Sequence, residues 1–201
     1  MRCQNLPTKY VYLFHMQPLI FDCDGTLADT MPLHWEAWQT ITGKYSIHFP
    51  EHRFYALGGV PSRDILKILA GEQDRQDINP VNVALEKEVA YLKLLPQVGP
   101  IEPVVTIARE NRGKVPMAVA SGGSRKAIYQ VLDHLGIREW FGAIVTHEDV
   151  LNQKPAPDIF LEAARRLGVD PIRCRAFEDT DLGMAAIRAA GMDAVDVRTL
   201  R

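Results

Sequence analysis

The chain has 201 residues, 47% of them hydrophobic and 24% charged, and a net charge of −2. That suits one soluble core with a sizeable insertion, and a near-neutral balance with scattered Lys and Arg argues against a nucleic acid or a membrane surface as partner. The three cysteines, Cys3, Cys23 and Cys174, lack metal-ligand spacing and suit a reducing compartment, so a cytoplasmic protein is expected.

Tyr10-Val11-Tyr12-Leu13-Phe14 forms a short apolar patch, too brief to span a membrane and followed by no small-residue cleavage site. Residues 1–17 read as an N-terminal extension, or as a start placed upstream of Met16, poorly ordered and without a part in catalysis. Leu19-Ile20-Phe21 reads as a buried strand. Beyond the Gly25-Thr26 turn the pattern becomes helical: Pro32 to Ile41 with Gly43 past its end, a short helix near Glu51 to Leu57, then Ser62 to Leu69 stopped by Gly71. A further helix runs from Val81 to Leu95, with Val81, Ala84, Leu85, Val89, Leu92 and Leu95 along one apolar face. Pro96, Gly99, Pro100 and Pro103 then mark a boundary.

From there strands and helices alternate. Strands are predicted at Val115 to Ala120, Ala143 to Thr146, Cys174 to Phe177 and Ala194 to Val197. Helices are predicted at Arg125 to Leu135, Pro157 to Leu167 and Leu182 to Ala190. Such alternation implies an α/β fold with a Rossmann-like parallel sheet covered on both faces. The core would be residues 18–30 and 97–201, and residues 31–96 an inserted α-helical cap.

The chemistry concentrates at strand ends. Asp22-Cys23-Asp24-Gly25-Thr26-Leu27 follows the first strand directly, and alternation turns both acids to the same side while Cys23 packs the other way. Two carboxylates that close repel unless they share a proton or meet a cation, which suggests a nucleophile and a general acid/base with a divalent ion nearby. The alternative is a turn with two side-chain caps. Ser121-Gly122-Gly123 ends a second strand before a helix, where a hydroxyl and free backbone N–H groups suit a phosphate, although Ser-Gly-Gly is also a common turn. Lys154, in Gln153-Lys154-Pro155, carries an ammonium able to offset phosphate and nucleophile charge together. Glu178-Asp179 ends a third strand and suits Mg²⁺, a hard cation that takes one or two carboxylates and keeps several waters. Asp181 is read as the cap of the following helix.

Asp22-x-Asp24-Gly25-Thr26, Ser121, Lys154-Pro155 and Glu178-Asp179, in that order, resemble the haloacid dehalogenase superfamily of phosphohydrolases over nearly all of Leu19 to Val197. The resemblance implies that Asp22 attacks phosphorus and becomes an aspartyl-phosphate, and that Asp24 protonates the leaving oxygen and then activates water. It implies that Ser121, Gly122 and Lys154 hold the phosphoryl group. Mg²⁺ would sit on the Asp22 side chain, the Asp24 main-chain carbonyl and Asp179, with Glu178 as a direct or indirect partner. Within the superfamily, Asp29-Thr30 with His34 and Trp38, the loop Gly59-Val60-Pro61-Ser62-Arg63, and Lys87 four residues before Tyr91 resemble the cap of the β-phosphoglucomutase-like branch. Arg63 falls one position later than in the mutase pattern. The C-terminal run from Phe177 to Arg198 is similar to that of small bacterial sugar phosphatases of the fructose-1-phosphate and 6-phosphogluconate phosphatase type. The expectation is a Mg²⁺-dependent hydrolase of small phosphorylated sugars or polyols, a monomer or weak dimer, with His34, Trp38, Arg63 and Lys87 reading the substrate. A β-phosphoglucomutase is the alternative. A non-catalytic phosphometabolite-binding module is another, but a protein kept only for binding need not retain Asp24 beside Asp22.

Overall fold

The computed structural model describes residues 17–200, so the expected extension, Gln17 apart, lies outside the described residues, as does Cys3. Five short strands, β1 (Leu19–Phe21), β2 (Met117–Ala120), β3 (Ala143–Val145), β4 (Arg175–Glu178) and β5 (Asp193–Asp196), form a parallel sheet in the order β3-β2-β1-β4-β5. β1 sits at the centre, with Ile20 opposite Ala118 on one side and Ala176 on the other. Two-residue alternation divides the core between the two faces. Leu19, Phe21, Val119 and Phe177 face one layer, where the Phe21 and Phe177 rings stack at 4.7 Å. Ile20, Ala118, Ala120 and Ala176 face the other. That second face is alanine-rich, which lets Ile159, Phe160, Ala163 and Ala164 of the covering helix Asp158–Leu167 come down close on the sheet.

The helices are α1 (Met31–Tyr45), α2 (Glu51–Ala56), α3 (Ser62–Glu72), α4 (Pro80–Leu94), α5 (Glu102–Asn111), α6 (Arg125–His134), α7 (Asp158–Leu167) and α8 (Asp181–Ala189). α1 to α4 build a cluster of their own, in which Trp38, Ile41, Phe49, Phe54, Leu66 and Leu69 are buried together. Leu33, Ala37 and Tyr91 instead join the cluster under the sheet and tie this helical block to it.

Several expected features are corrected. α1 runs through Gly43 to Tyr45 and ends where Ser46 turns left-handed (φ 52°), and α3 runs through Gly71 to Glu72. Both glycines lie on exposed faces, where the helical penalty of about 1 kcal/mol is outweighed by the apolar residues that the same turns bury. α5 was not expected, because Pro103 reads as a breaker; in the first turn its missing N–H costs nothing. The apolar face of α4 is elsewhere than expected. Val83, Lys87 and Tyr91 are buried, whereas Val81, Leu85 and Val89 are 52%, 59% and 54% exposed. A lysine within the inner stripe hides it from a count of apolar positions. Finally, Thr180 and not Asp181 caps α8: its side chain accepts from the Gly183 N–H, while Asp181 is exposed and pairs with Arg198.

Candidate active site

The carboxyl ends of β1, β2 and β4 face the helical block across a cavity of about 380 Å³. Crevices outside the carboxyl ends of parallel strands are where open α/β sheets place their ligands. Asp22, Asp24, Ser121, Gly122, Lys154 and Glu178 line it from the sheet side, and His34, Trp38, Arg63 and Lys87 from the helical side.

At its floor Lys154 Nζ donates to Asp22 Oδ1 and to Glu178 Oε2, each at 2.7 Å, with all three side chains buried. Burial disfavours the ammonium, but Asp22 and Glu178 outweigh that and hold its pKa above the usual lysine range. Asp22 is pushed well up, by burial first and then by Glu178, against the pull of Lys154. Glu178 Oε1 accepts from the Asp179 and Thr180 N–H groups and the Thr180 hydroxyl. Gly183 gives this carboxylate room, because a Cβ there would overlap it. Thr26 Oγ1 donates to Asp179 Oδ1 at 3.2 Å, and Gly25 (φ +78°) keeps clear the space that the Asp179 carboxylate fills.

Asp22, Glu178 and Asp179 bring carboxylate oxygens within 4.8 Å of one another. One ammonium against three acids leaves excess negative charge, and hard oxygen donors so arranged fit a small divalent cation. The Asp24 carboxylate is not part of this group, which leaves its main-chain carbonyl as the contribution expected of it.

Asp24 turns towards the helical block. Its Oδ1 accepts from Thr30 Oγ1 at 2.8 Å and lies 3.4 Å from His34 Nε2, and its Oδ2 accepts from Ser121 Oγ at 3.4 Å. Thr30 is the N-cap residue of α1 but has helical dihedrals (φ −95°, ψ −18°) and makes no side-chain cap; its hydroxyl donates to Asp24. Burial raises the Asp24 pKa, but His34, Thr30 and Lys87 together bring it below the ordinary value. Ser121 Oγ also accepts from the Gly123 N–H at 3.1 Å, so the hydroxyl is fixed at the mouth of the Gly122-Gly123 turn.

Behind Asp24, Lys87 Nζ lies 2.7 Å from His34 Nδ1, and the His34 ring stacks on Tyr91 at 3.8 Å. An ammonium only donates, so Nδ1 accepts and the ring proton is assigned to Nε2, facing Asp24. Burial, then Lys87, lowers the His34 pKa, in keeping with a neutral ring. Burial also brings Lys87 down to about 8, against the pull of Asp24 and Glu88. Below about pH 8 the folded protein therefore carries a disfavoured ammonium that the unfolded chain solvates freely. The resulting penalty, about 3 kcal/mol from the shift, fades as pH rises towards the unfolded value near 10.5. Lys87→Met is expected to unfold at higher urea than the wild type at pH 7, by about 1–3 kcal/mol, with the gap closing by about pH 10. A less stable variant at pH 7 would contradict the buried-charge account.

Trp38 and Tyr91 are packing residues first: Trp38 meets Phe49 at 5.1 Å, and each is about 1% exposed. Arg63 lines the cavity but remains half exposed, with Nε 3.4 Å from its neighbour Asp64. Cys23 is buried in the layer beneath, as alternation requires.

A family model described as haloacid dehalogenase-like hydrolase matches residues 17–191. The chain belongs to the haloacid dehalogenase-like hydrolases. It is 43% identical over 183 residues to the fructose-1-phosphate phosphatase YqaB of Escherichia coli, covering 90% of this chain and 96% of that one. It is 33% identical over 192 residues to the β-phosphoglucomutase of Bacillus subtilis, covering 90% and 83%. Among solved structures, a β-phosphoglucomutase from Clostridium difficile superposes with a TM-score of 0.82 at 26% identity, covering 92% of this chain and 87% of that one.

In this haloacid dehalogenase-like hydrolase the cavity also includes residues that sequence reasoning passed over: Glu88, Ser124, His147, Gln153 and Thr180. Glu88 had one available signal, since it follows Lys87 and sits one helical turn from Ala84 and Leu85. His147 sits in the turn after β3, where its ring nitrogen Nδ1 lies 3.0 Å from the Gly123 carbonyl. No described helix is long and apolar enough to cross a membrane.

Proposed function

We propose that this hydrolase is a Mg²⁺-dependent phosphatase of small phosphorylated sugars or polyols that works through an aspartyl-phosphate on Asp22. The observation that carries the reading is the meeting of Asp22 and Asp24 in one cavity with the Ser121 hydroxyl and the Lys154 ammonium, beside a cluster of acids suited to a cation. Asp22 attacks phosphorus, and the bond from phosphorus to the ester oxygen breaks. Asp24 gives that oxygen a proton, so the alcohol leaves neutral. A dianionic phosphate beside Asp24 raises its pKa and favours the protonated form needed for this step. Asp24 then takes a proton from water, whose oxygen attacks phosphorus and frees Asp22 and inorganic phosphate. Ser121 with the Gly122 turn, and Lys154, hold the phosphoryl oxygens. Asp22 and Asp179, with the Asp24 carbonyl and with Glu178 directly or through its neighbours, would hold Mg²⁺, which would supply positive charge to the phosphoryl group and favour an ionised Asp22.

In the same reading, residues 31–96 act as a cap over a core of residues 18–30 and 97–201. His34 and Lys87 address the substrate beyond the phosphate, Trp38 shapes the wall, and Arg63 stands at the rim. The enzyme works in the cytoplasm as a monomer or weak dimer, without a nucleic-acid partner, and the free thiols of Cys23 and Cys174 support a reducing compartment.

Phosphate release from a panel of sugar phosphates tests this, with fructose 1-phosphate first because a relative is named for it. Turnover is expected to need Mg²⁺, to vanish with EDTA and to return on adding metal. A parallel assay for conversion of β-glucose 1-phosphate to glucose 6-phosphate decides the alternative. Isomerisation that requires a bisphosphate, with little free phosphate, would replace the phosphatase reading with a mutase.

A further inference from the structure

One acid in the cavity, carried by the helical side, is not part of the acidic cluster of Asp22, Glu178 and Asp179. Glu88 lies on α4, half buried, and lines the cavity from the helical side. Its Oε1 accepts a 2.6 Å hydrogen bond from Ser124 Oγ. The Ser124 oxygen in turn caps α6 by accepting from the Ala127 N–H, so its one proton is committed to Glu88. The carboxylate is thus positioned from both sides of the cavity. Among the described residues no hydrogen bond or ion pair reaches its second oxygen, Oε2.

Nothing nearby neutralises it by direct pairing. The adjacent Lys87 directs its ammonium to His34, and Arg63 directs its guanidinium to Asp64. Lys154 is taken by Asp22 and Glu178 on the floor. A cation bound at Asp22, Glu178 and Asp179 would offset charge at the phosphate end, not on α4. The helical side of the cavity therefore presents a fixed carboxylate with a free acceptor oxygen. Such a group welcomes O–H donors and repels anions in a site partly withdrawn from water.

We propose that Glu88 determines specificity at the end of the substrate remote from phosphorus, accepting hydroxyls of a neutral sugar or polyol and turning away substrates with a second phosphate or a carboxylate there. The assignment rests on the phosphatase reading above. It makes discrimination a matter of repulsion as much as attraction, since the penalty on an anionic competitor separates substrates that share the same phosphate contacts.

The test is the ratio of kcat/KM for fructose 1-phosphate to that for fructose 1,6-bisphosphate, in the wild type, Glu88→Gln and Glu88→Ala, with p-nitrophenyl phosphate as a third substrate. The glutamine keeps an acceptor for Ser124, removes the charge and puts an N–H donor in place of the free Oε2. The wild type is expected to favour the monophosphate, and both variants to shrink that preference by about tenfold or more. Because the readout is a ratio, a general loss of activity divides out. An unchanged ratio, or equal losses on both sugars, would make Glu88 only a strut between α4 and α6 and overturn the proposal. If p-nitrophenyl phosphate is cleaved while the ratio stays fixed, the Glu88 assignment alone falls. If the wild type cleaves none of the three with Mg²⁺, the phosphatase reading falls and takes the assignment with it.

Discussion

Asp22→Asn is expected to lower the rate of phosphate release by about 10⁴-fold or more while leaving the fold intact. The amide has the shape of the carboxylate and keeps a carbonyl oxygen where Lys154 Nζ now donates at 2.7 Å. It removes one of three clustered negative charges, and Asp22 is the one that burial and Glu178 already push towards neutrality. The expected thermal midpoint is therefore at or above that of the wild type. Inorganic phosphate is expected to bind the variant at least as tightly, because the repulsion between the nucleophile and the ligand is gone. Rate and melting point together make the test specific. A dead but stable variant is the signature of a lost nucleophile, whereas a dead and unstable one reports a structural role. Retained turnover would remove Asp22 from the chemistry.

The parts of this site that were legible beforehand share one property: each is a short polar motif directly following an apolar strand. Asp22-x-Asp24, Ser121 and Glu178-Asp179 all stand at strand ends, so reading the strands located them, and the parallel sheet brought them to one edge. Lys154 comes from a loop and was legible only as part of the ordered set. The helical block was less legible, because polar residues occupy positions in its packed interior. Lys87 occupies a core position of α4, so the apolar count followed Val81, Leu85 and Val89 onto the exposed face. Thr30 stands at the N-cap of α1 but donates its hydroxyl to Asp24, a contact that no propensity scale encodes. Glu88 and Ser124 lie 36 positions apart, so their 2.6 Å contact has no local signature at all. Glycine misled in the opposite sense at Gly43 and Gly71, where the tertiary burial of the same helices overrode a local stop signal.

Lys154→Met is expected to destabilise the protein by about 3–5 kcal/mol at pH 7, because it leaves Asp22 and Glu178 buried and unpaired. Its effect on stability opposes that expected at Lys87, although both lysines are buried. The difference lies in partners: Lys154 donates to two carboxylates at 2.7 Å, whereas Lys87 donates to a neutral imidazole. Hence one ammonium is held above the ordinary lysine value and the other is brought down to about 8. In Lys154→Met the two acids lose their counter-ion, and the pKa of Asp22, already raised by burial and Glu178, rises further. An acid with a raised folded pKa carries its penalty above that pKa and loses it as pH falls through it. Urea titrations should therefore show the deficit of the variant shrinking as pH falls from neutral. Millimolar Mg²⁺ should narrow it too, since a cation that binds only the folded state stabilises it by mass action. Combining Lys154→Met with Glu178→Gln separates charge balance from catalysis. The double variant is expected to recover stability relative to Lys154→Met, because one buried charge is gone, and to remain inactive, because the phosphoryl group still lacks its ammonium. A double variant no more stable than Lys154→Met would mean that the deficit does not come from unpaired charge, and would point instead to contacts of the ammonium such as that with the Phe160 ring, 5.2 Å from its centroid.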